Sequence, residues 1–393
     1  MTTGVLVVGA GQSGFQVATS LRTQGYDGRV TIVGDEPFLP YQRPPLSKGI
    51  GFDGDGSRLT FRPREFYASQ VIDLVLGDGV DTIDLDGVAL TRSGRELPFD
   101  RLVLATGAEP RRLRVPGADA DGVVYLRTLP DASTLAAAAA TISKAVVVGA
   151  GYIGLEIASA MRQRGIAVTV VAQSRLLSRT ATPILADYLL AAHTKRGVVF
   201  ELERTVERVH TAKGRARGVV LDDGRLLDAD IVIVGIGAQP RTELAQAIGL
   251  ELALGGVVVD EFSRTSNPLV VAAGDVTTLR REGHERRFES VQNAVDQAKT
   301  AAATLLGSST PNDAVPWFWS DQGDLKLKTA GWTGGYDEAV VHGEMSQDRF
   351  SIRSYADGRL VSVESINSPA EYMSARRELA ATRSWEPSAL TPT

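Results

Sequence analysis

Two copies of one glycine pattern constrain this chain more than anything else in it. Residues 5–14 read Val-Leu-Val-Val-Gly-Ala-Gly-Gln-Ser-Gly, residues 146–154 read Val-Val-Val-Gly-Ala-Gly-Tyr-Ile-Gly, and their first glycines lie 140 residues apart. In a G-x-G-x-x-G turn the first glycine permits the tight turn, the second lets a pyrophosphate approach the backbone, and the third lets helix and strand pack closely. The helix behind the turn then offers free N–H groups and a favourable dipole to the anion. One match alone is weak, because a plain tight turn reads the same way. Here each match follows a β-branched run and opens a helical pattern (15–24 and 155–164) that gives way to another strand (30–33 and 168–171). Two βαβ units, and two bound dinucleotides, are the expectation. Gly9, Gly11, Ser13 and Gly14 form the first turn, and Gly149, Gly151, Ile153 and Gly154 the second.

The units differ where the second strand ends, at the place where a carboxylate holds an adenosine ribose through its hydroxyls. The first has Asp35 and Glu36, with Asp35 lying 21 residues beyond Gly14, a spacing that suits FAD or NAD. A solvated loop acid is the rival for Asp35 taken alone. The second unit has Ala172 and Gln173, so no carboxylate repels a 2′-phosphate, and Arg175 is near enough to pair with one.

At 393 residues the chain exceeds one ordinary core, and two or three domains are expected. Cysteine is absent, which excludes disulfides, thiolate metal sites and a cysteine redox pair, so redox chemistry has to come from a bound cofactor. The four histidines show no metal-ligand spacing; each reads as a surface or loop residue, and no metal is expected. A formal charge of -5 gives no reason to expect nucleic-acid binding. The apolar start at 5–8 lacks a basic flank and runs into glycines, so it reads as a strand and not a signal peptide. No apolar run is long enough to span a bilayer, and a cytoplasmic protein without membrane contact is the expectation.

Further along, a helix near 184–196 precedes strands at 206–211 and 217–221, with a turn at Asp223-Gly224. Buried strands follow at 231–234 and 270–273, then a helix at 292–305. Past Pro311 short alternating runs at 325–330, 338–341, 350–355 and 360–366 indicate antiparallel sheet. The fold class is therefore α/β, with two Rossmann-like dinucleotide-binding domains in a glutathione-reductase-like arrangement and a C-terminal α+β domain. The expected boundaries are 1–108 with 240–311 for a discontinuous FAD domain, 109–239 for the NAD(P)H domain, 312–382 for the third domain, and a frayed tail at 383–393.

Residues 40–48, Pro-Tyr-Gln-Arg-Pro-Pro-Leu-Ser-Lys, make the resemblance specific. With Ala105-Thr106-Gly107, 265–275, 289–297, 316–322 and 366–377, they are similar to the FAD-dependent ferredoxin reductases of bacterial oxygenase systems, the putidaredoxin reductase and Rieske dioxygenase reductase family. Apoptosis-inducing factor is a more distant relation. The resemblance covers nearly the whole chain. It implies that FAD occupies the first unit, with Asp35 on the adenosine ribose, Val80 on adenine through its backbone, and Arg43 and Lys48 near the pyrophosphate and isoalloxazine. Arg127 and Asp275 would hold the centre of the cofactor, and Val291 would lie under the flavin at a helix N-terminus. NADH or NADPH would exchange at the second unit, against its glycines, Ile153, Arg175 and Gly237.

Lys48 and Glu156 are implied as the catalytic pair, an ion pair beside the flavin nitrogen that receives hydride. Burial disfavours either charge alone, which is the physical reason for having both. An acid that merely complements the helix dipole is the rival for Glu156. Trp317 and Trp319 open the third domain: a plain core strand is the rival for Trp317, and the resemblance places Trp319 near the flavin edge. Gly323 stands where a bulky residue is usual, which bears on the partner surface.

The implied reaction runs from NAD(P)H through FAD to a small acidic [2Fe-2S] ferredoxin feeding an oxygenase, in a monomer or weak homodimer. Arg62, Arg64, Lys299, Arg376 and Arg377 are candidates for a basic docking face. An NAD(P)H oxidase and a redox-sensing interaction flavoprotein like apoptosis-inducing factor are the alternatives.

Overall fold

The computed structural model describes residues 3–48 and 57–383, so the expected tail lies, beyond Arg383, outside the described residues. Two compact units organise the chain: Met1–Gln42 with Ser57–Glu109 and Gln239–Phe318, and Arg43–Gly56 with Pro110–Ala238 and Trp319–Thr393.

The first unit is built on a five-stranded parallel sheet, ordered Val270–Ala272, Arg101–Leu104, Val5–Val8, Val30–Gly34, Ile72–Leu76. A sheet covered on both faces needs continuous apolar strands, and Val5–Val8 is buried at every position. Successive side chains point to opposite faces. Val5 and Val7 join Val17, Leu21, Ala298 and Ala301 from the helices Gln12–Thr23 and Val291–Leu305. Leu6 and Val8 join Ala89, Leu97 and Phe99 from a three-stranded antiparallel sheet, Val80–Asp84, Val88–Thr91 and Glu96–Pro98. Each of the Val, Leu and Phe side chains contributes about 1.5–3 kcal/mol by leaving water.

The second unit repeats the plan. Its parallel sheet is ordered Val198–Leu202, Ala167–Ala172, Lys144–Val148, Ile231–Val234, Val123–Tyr125. Val146 and Val148 pack with Val206, Val209, Val219 and Leu221 of the antiparallel strands Val206–Ala212 and Arg215–Leu221. The helices Tyr152–Gln163 and Pro183–Lys195 also belong here. The same unit carries a second five-stranded sheet, ordered Trp317–Gln322, Leu325–Gly331, Arg359–Ile366, Arg349–Ala356, Glu338–Glu344, with antiparallel pairing over its last four strands. The helix Pro369–Thr382 buries Tyr372, Ala375 and Leu379.

The α+β class expected of this domain implies a helix without placing it; Pro369 at its first turn with Glu371 behind it is an ordinary helix start. One expectation is corrected. His193, placed at the surface by sequence, is fully buried in Pro183–Lys195 with its ring edge-on to Phe200, because it occupies the inward stripe with Leu185, Leu189 and Ala192.

Candidate active site

The two glycine turns are alike at the level of single atoms. Gly9 has φ +120°, and a Cβ there would collide with the carbonyl of Ala105; Gly149 has φ +111°, and a Cβ would collide with the carbonyl of Gly235. At Gly14 and Gly154 a Cβ would strike the first glycine's own carbonyl, so only glycine lets helix and strand approach. The middle glycines, Gly11 and Gly151, have nothing within 4 Å of a hypothetical Cβ. Both are helix N-caps without a side-chain hydrogen bond, whereas Thr128, Thr182 and Ser290 cap their helices with their own hydroxyls. Open space in front of uncapped N–H groups is what a pyrophosphate requires, so the residues present fit a dinucleotide at each turn.

In the first unit Ser13 is buried, and the close approach of Gly274, φ +87°, against its hydroxyl brings the Ala273-Gly274-Asp275 turn to the first helix. Gln297 pins that turn, accepting from Gly274 N at 2.8 Å and Thr277 Oγ1 at 2.9 Å. Val291 begins its helix behind the cap Ser290. Asp35 lies beside Gly79, where a Cβ would come within 2.9 Å of the Asp35 Cβ, so Asp35 and the backbone of Val80 share one corner. Glu36 is otherwise engaged, accepting from Tyr41 Oη at 2.7 Å.

The sequence did not reveal the partner of Asp35. Arg241 Nη1 donates to Asp35 Oδ2 at 2.9 Å, and the Arg241 backbone is tied to Gly107 O at 3.0 Å and to Thr106 Oγ1 at 2.7 Å. Burial works to raise the Asp35 pKa, but the charge and hydrogen bond of Arg241 outweigh it and hold the carboxyl below its usual range.

In the second unit a four-residue helix, Pro45–Lys48, presents two functional side chains. Lys48 Nζ donates to Glu156 Oε1 at 2.9 Å, and Ser47 Oγ donates to Oε2. Ser320 Oγ reaches Oε1 at 2.7 Å and Asp321 N reaches it at 3.3 Å. Glu156 is only 3% exposed, and these four donors satisfy a buried carboxylate that would otherwise be costly. Neither serine was foreseen; both lie within segments that carry the family resemblance, but nothing local marks them as ligands of Glu156. Lys48 Nζ stands 6.0 Å from the ring centroid of Trp319, a half-buried residue. Arg43 Nη1 donates to the carbonyl of Arg127 at 2.7 Å, so Arg43, Lys48, Arg127, Glu156 and Trp319 all belong to this unit, while Asp35, Val80, Asp275 and Val291 belong to the first.

Around the second glycine turn Ile153 is an exposed apolar residue in the first turn of its helix, Ala172 is buried, and Arg175 is exposed. Gly237, φ +104°, lies near the side chains of Arg111 and Arg179. Arg204 N donates to Ala172 O at 3.1 Å, and its guanidinium is held by Asp223 at 3.3 Å and Asp222 at 3.9 Å. Gly323, φ +70°, packs against Ser159 and Gln163 of the helix Tyr152–Gln163, so its small size is dictated from within the unit. Among the described residues no helix is long and apolar enough to cross a membrane.

The family model "pyridine nucleotide-disulphide oxidoreductase" matches residues 3–298, and "reductase C-terminal" matches 317–393. The chain is 44% identical over 381 residues to rhodocoxin reductase of Rhodococcus erythropolis, covering 96% of this chain and 89% of that one. It superposes with a TM-score of 0.94, at 40% identity, on the ferredoxin reductase for the CYP199A2 system from Rhodopseudomonas palustris, covering 99% of this chain and 98% of that one. On the covalent putidaredoxin reductase–putidaredoxin complex the TM-score is 0.92 at 36% identity, covering 97% and 93%. With no cysteine in the chain, the disulphide chemistry in the family's name has no counterpart here. Two dinucleotide turns in two parallel sheets, matched by family model and relatives alike, make this chain an oxidoreductase of the pyridine nucleotide-disulphide oxidoreductase family, which uses FAD and NAD(P)H.

Proposed function

We propose that this chain oxidises NAD(P)H and delivers the electrons, through FAD, to a small acidic [2Fe-2S] ferredoxin that serves an oxygenase. The observation that carries this reading is the ion pair of half-buried Lys48 with buried Glu156. Glu156 lies two residues past Gly154, so the pair is built into the helix that receives the nicotinamide cofactor. The names of the relatives, a rhodocoxin reductase and ferredoxin reductases, support the same class of acceptor.

Bound FAD supplies the ability to take two electrons together from a nicotinamide and release them singly. The protein's part is alignment, because hydride transfer needs no general acid. Gly11 and Gly151 would leave N–H groups to the two pyrophosphates and Asp35 would take the adenosine ribose, while the resemblance assigns Asp275, Arg43 and Arg127 to the centre of FAD. Val291 would add the N-terminus of its helix, whose dipole would favour negative charge on the ring. Lys48 and Glu156 neutralise each other, so the site carries oriented dipoles without a net charge from this pair. Replacing Glu156→Gln or Lys48→Met in FAD-loaded protein is expected to slow flavin reduction by NADH about a hundredfold in stopped flow; an unchanged rate would remove the pair from the mechanism.

Of the proposed docking cations, Arg62, Arg64 and Lys299 belong to the first unit and Arg376 and Arg377 to the second. Reversing Arg62 and Lys299 together is expected to weaken ferredoxin reduction while sparing ferricyanide reduction. Equal loss in both assays would sink the docking proposal, and rapid oxygen consumption without any carrier would mark an oxidase. Coenzyme preference is proposed to be relaxed: Ala172 repels no 2′-phosphate, and Arg175 is exposed beside it. Steady-state rates with NADH and NADPH test this, and a strong NADH preference would overturn it. We place the enzyme in the cytoplasm as a monomer or weak dimer.

A further inference from the structure

Behind the Lys48–Glu156 pair runs a line of buried polar residues that the reaction as described does not use. His193 Nε2 lies 2.7 Å from Gln322 Oε1, Gln322 Nε2 lies 3.2 Å from Ser320 Oγ, and Ser320 Oγ lies 2.7 Å from Glu156 Oε1. His193, Ser320 and Gln322 are fully buried. They come from separate elements of the second unit: His193 from Pro183–Lys195, and Ser320 and Gln322 from Trp317–Gln322. Interior polar groups of this kind are costly unless each finds a partner.

We propose that Gln322 and His193 are positioning residues for the catalytic pair: a one-way chain of hydrogen bonds, ending on Glu156 Oε1, holds that carboxylate in place for Lys48. The inference rests on the reading that Lys48 and Glu156 serve hydride transfer.

The direction of the chain follows from chemistry. Ser320 has one hydroxyl proton, and a carboxylate only accepts, so that proton goes to Glu156. Ser320 Oγ must then accept from its other neighbour, which requires the amide nitrogen of Gln322 on that side. The amide oxygen of Gln322 therefore faces His193, and Nε2 of the imidazole must carry the proton. Reversing the amide would set an amide donor against Nε2 and force the proton onto Nδ1, which is buried without a partner. Every proton in the chain thus points toward Glu156.

The imidazole is neutral in this arrangement. Burial lowers its pKa, with Gln322 and Asp324 opposing and Arg196 reinforcing. The charged groups around the chain are Lys48 at one end and Arg196 and Asp324, themselves paired at 2.8 Å, at the other. Asp321 contributes its backbone N–H to Glu156, and its carboxylate lies 3.5 Å from Lys326.

If the chain were only a stitch between helix and strand, its loss would weaken the fold and leave hydride transfer untouched. As a positioning device it acts on the rate of flavin reduction and not on coenzyme binding. Gln322→Met keeps the length of the side chain and removes both bonds. Wild type, Gln322→Met and Glu156→Gln are studied FAD-loaded in stopped flow over a range of NADH concentrations, with thermal unfolding measured alongside. In Gln322→Met the limiting rate of flavin reduction by NADH should fall roughly fivefold, the worth of one net hydrogen bond, with the Kd for NADH unchanged. His193→Phe should reproduce this effect, while His193→Gln, which keeps a donor toward Gln322, should restore the rate toward wild type. Variants that lose thermal stability but keep the wild-type limiting rate overturn the inference. If Glu156→Gln itself reduces its flavin at the wild-type rate, the reading of the pair fails and the inference falls with it; if Glu156→Gln is slow but Gln322→Met matches wild type in limiting rate, the pair stands and only the chain is refuted.

Discussion

Glu364 offers a quantitative test, because it is a fully buried carboxyl group. It lies on Arg359–Ile366 with no solvent exposure, and its carboxylate accepts from Thr182 N at 3.0 Å and from Thr182 Oγ1, at the N-cap of the helix Pro183–Lys195. Burial raises its pKa from 4.5 to about 7, against the two Thr182 hydrogen bonds that lower it. A group whose folded pKa is raised contributes stability that is complete below its unfolded value and is lost as pH rises through the folded one. The window therefore opens near 4.5 and closes near 7, and the loss across it is about 3 kcal/mol. Glu364→Gln imitates the protonated acid, since an amide oxygen accepts from Thr182 N and an amide nitrogen donates to Thr182 Oγ1. The variant should match wild type at acid pH and exceed it by about 3 kcal/mol at pH 8. Urea unfolding of the FAD-loaded proteins at both pH values measures this. An equal shift at both, or a less stable variant at pH 8, would refute the argument that Glu364 bears an unrelieved cost of burial.

Three further outcomes follow from the geometry. Gly9→Val should abolish FAD retention on gel filtration, because its φ of +120° and the carbonyl of Ala105 leave no room for a side chain; retained flavin would contradict the turn assignment. Arg241→Met removes the partner that depresses the Asp35 pKa, so the carboxylate, which is ionised in wild type down to below 3.8, should protonate at higher pH. Flavin release on acidification should then begin at higher pH in the variant, and an unmoved release curve would detach Asp35 from the cofactor. Gly323→Leu should destabilise by about 1–3 kcal/mol, from its φ of +70° and the approach to Ser159 and Gln163, as read by thermal unfolding.

Much of the architecture was legible because its signals are local. The apolar runs ending in glycine at 5–9 and 146–149 could belong only to buried parallel strands, and the helix expected at 292–305 is Val291–Leu305. The helix Pro369–Thr382 has a start signal in Pro369 and Glu371, but it buries only Tyr372, Ala375 and Leu379, so its apolar stripe is thin and its periodicity faint. The strands Val80–Asp84, Val88–Thr91 and Glu96–Pro98, which cover one face of the first sheet, are short and partly exposed and carry a weak alternation.

The sequence by itself determined that two dinucleotides bind, because steric limits on a Cβ act within a few residues of each glycine and leave their mark in composition. It also marked Lys48 and Glu156 as members of a pair through resemblance. Only the tertiary structure decided how that pair is held. Ser320, Gln322 and His193 stand far from Lys48 in the chain, and Arg241 stands 206 residues from Asp35. A buried polar group is recognised by the partner that satisfies it, and that partner is chosen by packing between elements, which no short stretch of sequence records.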